Sequence, residues 1–247
     1  LAREDQSTPW VALDATQLSA TTETKLTKQE DKSVKATGAN GIGTYTVVAE
    51  TPLTGIRSIR LEVLAHDDGP KKGPGRAPDG HFVLSEFEVW AAPMENPEQK
   101  TKLKLVDAVS DYDQKGYAVA TAIDGVTAPA GNGWAVGGKT GENHFAAFAL
   151  AEPLALPGGT ILTFQLKQEF RSAQHSIGQF RISVTNSGDP ILLNGVDAEI
   201  AKILAVPADQ RTAEQNAAGM KYYRGFDTQL RQREQAVAAS RRPRPED

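Results

Sequence analysis

Residues 73–90 read GPGRAPDGHFVLSEFEVW, a loop shaped by glycine and proline that runs directly into an alternating strand. Gly73, Pro74, Gly75, Pro78 and Gly80 keep regular structure out of the first half, because proline lacks an amide donor and glycine tolerates positive φ. That loop displays Arg76, Asp79 and His81. In the second half Val83, Ser85, Phe87 and Val89 fall on one face while Glu86, Glu88 and Trp90 fall on the other, the period-2 pattern of a half-buried strand. Glu86 is thereby placed to face a ligand, an ion or water.

Working outward, the same texture recurs. Strands are expected at 44–50 (TYTVVAE), 56–65 (IRSIRLEVLA), 82–90 (FVLSEFEVW), 102–109 (KLKLVDAV), 144–151 (HFAAFALA), 160–168 (TILTFQLKQ) and 177–185 (IGQFRISVT). Glycine and proline clusters at 51–55, 69–80, 129–141 and 157–159 supply the corners. Closely spaced strands with turns between them predict an all-β sandwich rather than βαβ units. Ile59, Leu61 and Val63 share one face of their strand, as do Leu162, Phe164 and Leu166, and Phe180, Ile182 and Val184. These residues are the expected core.

After Asn186 the composition turns to alanine, glutamine, glutamate and arginine, with helical spacing over 196–204 and 213–239. Asp209 or Thr212 is the expected cap of the second helical stretch, Glu214 and Gln215 stand in its first turn, and Gly225 is expected to interrupt it. The tail RRPRPED reads as a disordered end or the start of a linker. The expected division is a sandwich over 1–190 and a helical extension with its tail over 191–247.

Composition limits the function. A chain of 247 residues can bury one substantial core with a small appendage. Its net charge of -4, spread along the chain, offers no basic field for nucleic acid. No apolar run approaches the ~18 residues a membrane helix needs. The absence of cysteine excludes disulfides, thiolate nucleophiles, cysteine-ligated zinc and covalent c-type haem within the chain. The start at Leu1 is that expected of a piece cut from something longer.

The groups able to do chemistry are dispersed. The loop at 73–80 lacks the following helix and the Gly-Lys-Ser/Thr ending of a phosphate cradle, so Arg76 is read as a guanidinium presented to a planar or anionic ligand. Asp67, Asp68, Asp111, Asp113 and Asp124 lie in or beside loops and, with Glu86, supply the oxygen donors a calcium ion needs. His66, His81, His144 and His175 show no metal-motif spacing. Trp134, flanked by Gly131, Gly133, Gly137 and Gly138, is the best candidate for an exposed ring on which a sugar face could stack. Neither a nucleophile elbow nor a metalloprotease motif is present, and catalysis is not expected.

Taken in order, the segments at 25–51, 56–64, 71–89 (KKGPGRAPDGHFVLSEFEV), 108–125 (AVSDYDQKGYAVATAIDG), 133–136 (GWAV), 141–148 (GENHFAAF), 158–168 and 175–185 resemble the central domain of large planctomycete-type proteins. In that family the domain lies between a cytochrome c-like module and two long domains of unassigned function. The resemblance spans roughly residues 10–240. It implies a secreted or periplasmic setting, with haem on another part of the parent chain and none here. Where the family usually reads Asn-Gly-Asn-Phe, this chain has Asp79-Gly80-His81-Phe82.

The same stretches look like the galactose-binding-like jelly roll of discoidin-type and carbohydrate-binding modules. That resemblance implies a structural calcium held by Glu86, Asp124 and the Trp134 loop, although the glutamate strand here precedes the Asp-Gly loop rather than following it. The expectation is a jelly-roll β-sandwich with a C-terminal helical extension that binds polysaccharide without catalysis, through Arg76, Asp79, His81 and Trp134. A spacer beside the haem module and the parent's other domains, or a polysaccharide-degrading enzyme, are the alternatives.

Overall fold

In the computed structural model the chain divides into two units, Thr8–Gly188 and a second made of Leu1–Ser7 with Asp189–Asp247. Residues 10–127, 132–172, 174–187 and 210–226 are described, together with Ile203 and Val206. The first unit is built from strands β1 (Val11–Ala12), β2 (Ala15–Ala20), β3 (Thr24–Lys28), β4 (Val34–Gly38), β5 (Gly43–Thr51), β6 (Ile56–Val63) and β7 (Val83–Leu84). It continues with β8 (Glu86–Pro93), β9 (Thr101–Lys102), β10 (Leu105–Ser110), β11 (Trp134–Ala135), β12 (His144–Leu154), β13 (Thr160–Gln168) and β14 (Gln179–Thr185).

These strands form two antiparallel sheets, ordered β10-β12-β6-β14-β4-β3 and β2-β5-β13-β8-β9, with β1 joined to β14 and a small ladder of β7 and β11. Successive strands cross between the sheets, β5 to β6 and β12 to β13 to β14, in the manner of a jelly roll. The architecture is therefore an all-β sandwich with a short C-terminal helix. The central strands are those whose alternation is clearest. β13 pairs with β5 from Thr160↔Thr51 to Gln168↔Gly43 and with β8 from Thr160↔Pro93 to Lys167↔Glu86. β6 is flanked by β12 and β14.

All nine expected core residues are buried between the sheets. Phe87 packs on Phe164 of its own sheet at 6.1 Å and on Phe148 of the facing sheet at 4.8 Å between ring centroids. Each such ring contributes about 1.5–3 kcal/mol by leaving water. His144, at the start of β12, is 1% exposed at its side chain. Its Nδ1 faces Asp111 Oδ2 at 2.8 Å and its Nε2 faces the Lys139 carbonyl at 2.6 Å. Both partners are acceptors, so the two contacts form together only when both nitrogens carry hydrogen, which favours the imidazolium.

Two expected strands are broken by the chain's path. The 82–90 run divides at Ser85, whose amide donates to the Lys167 carbonyl and whose hydroxyl accepts from the Glu169 amide. The 102–109 run divides at Leu103–Lys104, where the chain crosses between sheets: the Leu103 amide donates to Val89, and the Lys104 carbonyl accepts from Ala151.

In the second unit α1 spans Ala213–Phe226. Thr212 caps it, its Oγ1 accepting from the Gln215 amide at 3.1 Å while Gln215 Oε1 accepts from the Thr212 amide at 2.9 Å. This is the reciprocal arrangement of a capping box. The described helix includes Gly225 and runs to Phe226, a single glycine costing about 1 kcal/mol in a helix. Asp209, most of the expected helix at 196–204, the stretch beyond 226 and the tail lie outside the described residues. No helix among the described residues is long and apolar enough to cross a membrane.

Candidate functional site

The loops at 38–42, 64–82, 111–127 and 169–178 gather at one end of the sandwich, where the 73–80 loop sets the geometry. Gly75 donates its amide to the Gly80 carbonyl at 2.9 Å, and Gly80 to Ala77 at 2.8 Å, closing a tight turn. A Cβ at Gly75 would stand 2.0 Å from the His81 carbonyl oxygen, and Gly80 sits at φ +84°. Neither position accepts another residue without moving backbone.

Arg76 does not reach out toward a ligand. Its Nη1 donates to the Ala39 carbonyl at 2.8 Å and its Nη2 to Gly38 at 2.6 Å. These carbonyls lie where β4 ends, and the planar fork takes both. Asn40 completes the tie, donating to the carbonyls of Arg76 and Gln174 at 3.0 Å each. The expected ligand-binding arginine instead holds three loops together.

Trp134 is also corrected. It is wholly buried, its Nε1 donates to the Tyr112 carbonyl at 3.0 Å, and its ring meets Phe82 edge-on at 5.2 Å. The neighbouring glycines permit this burial: a Cβ on Gly133 would lie 2.3 Å from the Leu84 carbonyl oxygen, where the β11 segment packs against β7. The ring is core and offers no sugar platform.

Asp79 stands at the surface, and its Oδ1 lies 2.6 Å from Nδ1 of His81, whose side chain is only 14% exposed. Burial works to raise the Asp79 carboxyl, but the His81 hydrogen bond and charge outweigh it and hold the group below its ordinary value. His81 meets the ring of His175 edge-on at 4.5 Å, His175 meets Phe170 at 4.9 Å, and Phe170 meets Tyr117 at 6.0 Å. All four rings are half-buried. Burial pushes His175 down, opposed by its contact with the Ser172 carbonyl and reinforced by the facing His81. Sequence reasoning missed this row because its members come from separate loops. The only local sign was an aromatic and a histidine close together at 170–175, in the turn that leads back beside 73–81.

Glu86 and Asp124 converge as expected, but not with the Trp134 ring. Glu86 is 4% exposed, and the Gly125 amide donates to its two oxygens at 3.3 and 3.2 Å. Burial raises this carboxyl to about 7, the Gly125 amide opposes the rise, and the charges of Asp124 and Glu88 add to it. Asp124 Oδ1 accepts from the Val126 amide at 2.8 Å and from Asn132 at 3.3 Å. The residues present do not fit a calcium cage. An N–H occupies the side of Glu86 that a bidentate cation would take, and Asp124 Oδ1 is bound to donors of its own loop.

Beside these two acids runs a groove of about 370 Å³, walled by the β9–β10 link and by residues 123–125. Glu88 on its floor is bound to Lys102 at 2.6 Å and Lys167 at 2.7 Å. No family model, curated protein or solved structure matches the chain.

Proposed function

We propose that this chain is a non-catalytic polysaccharide-binding domain working as a module of a larger secreted or periplasmic protein. The observation that carries the reading is the row of half-buried rings His81, His175, Phe170 and Tyr117, set beside the exposed Asp79. Each ring meets the next edge-to-face, so faces and edges alternate along the row. Ring faces take the C–H surfaces of sugars, while Asp79, the free edge of His81 and the Tyr117 hydroxyl exchange hydrogen bonds with sugar hydroxyls. The sandwich supplies rigid loop ends, and the Arg76 clamp fixes the loop that bears Asp79 and His81. Such a site is weak alone, and attachment to a larger chain raises its effective concentration.

Affinity electrophoresis in gels cast with neutral and acidic polysaccharides tests this reading. At least one polysaccharide retards the wild type, and Phe170→Ala weakens that retardation about tenfold, the scale of one lost ring contact. The buried Trp134 favours the rival reading, a spacer beside the haem module of the parent chain. Migration unaffected by every polysaccharide, with Trp134 buried, would overturn the binding reading and count for the spacer.

A further inference from the structure

The groove beside Glu86 is a built feature. Its outer wall is the Leu103–Lys104 link, tied by backbone hydrogen bonds to Val89 on one sheet and Ala151 on the other. Its volume of about 370 Å³ falls within the range of small-ligand sites. Leu103, Leu105 and Ile123 give it apolar sides, and Glu86 stands at its head. Its lining carries the carboxyls of Glu86, Glu88 and Asp124 and the amines of Lys102 and Lys104, and Lys167 reaches Glu88 from beside it, so both lysines bound to Glu88 are engaged away from Glu86.

Glu86 selects the kind of cation. A carboxylate can accept about four hydrogen bonds, yet a single amide, that of Gly125, serves both its oxygens. That amide takes the bisecting side, which a guanidinium fork or a bidentate metal would require. The outer lone pair of each oxygen is left, and it suits a donor that approaches one oxygen at a time. An ammonium group is such a donor: compact, with three separately directed hydrogens.

We propose that this groove binds the protonated primary amine of an amino sugar, with its ammonium on Glu86 and Asp124 and its C–H face on Leu103, Leu105 and Ile123. Lys104 donates to a hydroxyl at the rim. The naming of a sugar as carrier rests on the polysaccharide reading above; the amine site itself rests on the groove. Segment 117–125 connects the two features, with Tyr117 in the ring row and Ile123, Asp124 and Gly125 in the groove wall.

Calorimetric titration in neutral buffer with a glucosamine trimer and with its N-acetylated counterpart tests the assignment. The free amine binds about tenfold or more tightly than the acetylated trimer, and Glu86→Gln removes that preference, the loss expected for one charge-assisted hydrogen bond. Glu30→Gln, an exposed acid elsewhere on the sandwich, leaves it intact. Equal binding of the two trimers, or no binding of the free amine, overturns the amine site. So does an equal loss in both variants, because that is bulk charge attraction. Retention on neutral polysaccharide and its weakening by Phe170→Ala judge the wider reading separately: the amine site can fail while that retention persists, and the reverse.

Discussion

Replacing Glu86 by glutamine is expected to stabilise the sandwich, by an amount set by pH. The carboxyl is carried from 4.5 to about 7 by burial, with the negative charges of Asp124 and Glu88 adding to the rise. Below its unfolded value both states hold the proton and ionisation costs nothing. Between the two values the unfolded chain ionises while the folded one resists, and the cost grows as pH rises. Above the folded value it levels at about 3 kcal/mol, taking about 1.4 kcal/mol for each unit of displacement. Glutamine keeps the shape and an acceptor for the Gly125 amide but carries no charge. Urea unfolding of both proteins across a pH series from about 4 to 9 isolates the effect, since His144, His175 and the exposed acids titrate in both. The curves should coincide at the acid end and separate to about 3 kcal/mol at the alkaline end, with glutamine the more stable. In thermal unfolding that is roughly 6–12 °C for a domain of this size. A constant separation at every pH, or a less stable glutamine variant at alkaline pH, would refute the assignment of Glu86 as a buried, poorly compensated carboxylate.

Other expectations follow from the same geometry. Burial lowers the charged form of His144, but Asp111 and the Lys139 carbonyl outweigh it and raise the group above its ordinary 6.5. Its contribution is therefore complete below that value and fades as pH rises through the folded value. His144→Gln should cost about 3 kcal/mol in mildly acid buffer, with the gap narrowing toward alkaline pH; a pH-independent gap would contradict the charged ring. Arg76→Lys should lose the forked contact to Gly38 and Ala39 and destabilise the sandwich by about 1–2 kcal/mol in urea unfolding. Lost polysaccharide retention at unchanged stability would return Arg76 to the binding surface. Because Glu86 presents its bisecting side to an amide, calcium and chelator should leave the melting temperature alike, and a rise with calcium would restore the metal site.

The sandwich was legible where a strand is paired on both edges and buries one face. β5, β6, β12, β13 and β14 carry alternating apolar residues because their inward faces meet the opposite sheet. The edge strands β2 and β3, and β4 beside β3, escaped notice because ATQLSA, TKLTK and VKATG are mostly polar and leave few side chains inside. Their pairing depends on the neighbouring strand rather than on their own pattern. Site residues were legible only in part. Glu86 and Asp124 lie together, a pairing suggested only by the resemblance to galactose-binding-like modules and not by the spacing of the residues themselves. Arg76 and Trp134 were misjudged for one shared reason: glycine-rich surroundings were read as exposure, whereas here they allow the backbone close enough to enclose a side chain. The ring row left almost no trace, since Tyr117, Phe170 and His175 meet only after the sheets bring their loops to the same end.

The most direct test of the central claim is to record backbone amide NMR shifts while adding an oligosaccharide of the polysaccharide that retards the protein. Binding at the ring row predicts the largest changes at Tyr117, Phe170, His175 and the 79–81 turn. Changes centred elsewhere, or a spectrum left unaltered at saturating oligosaccharide, would contradict it.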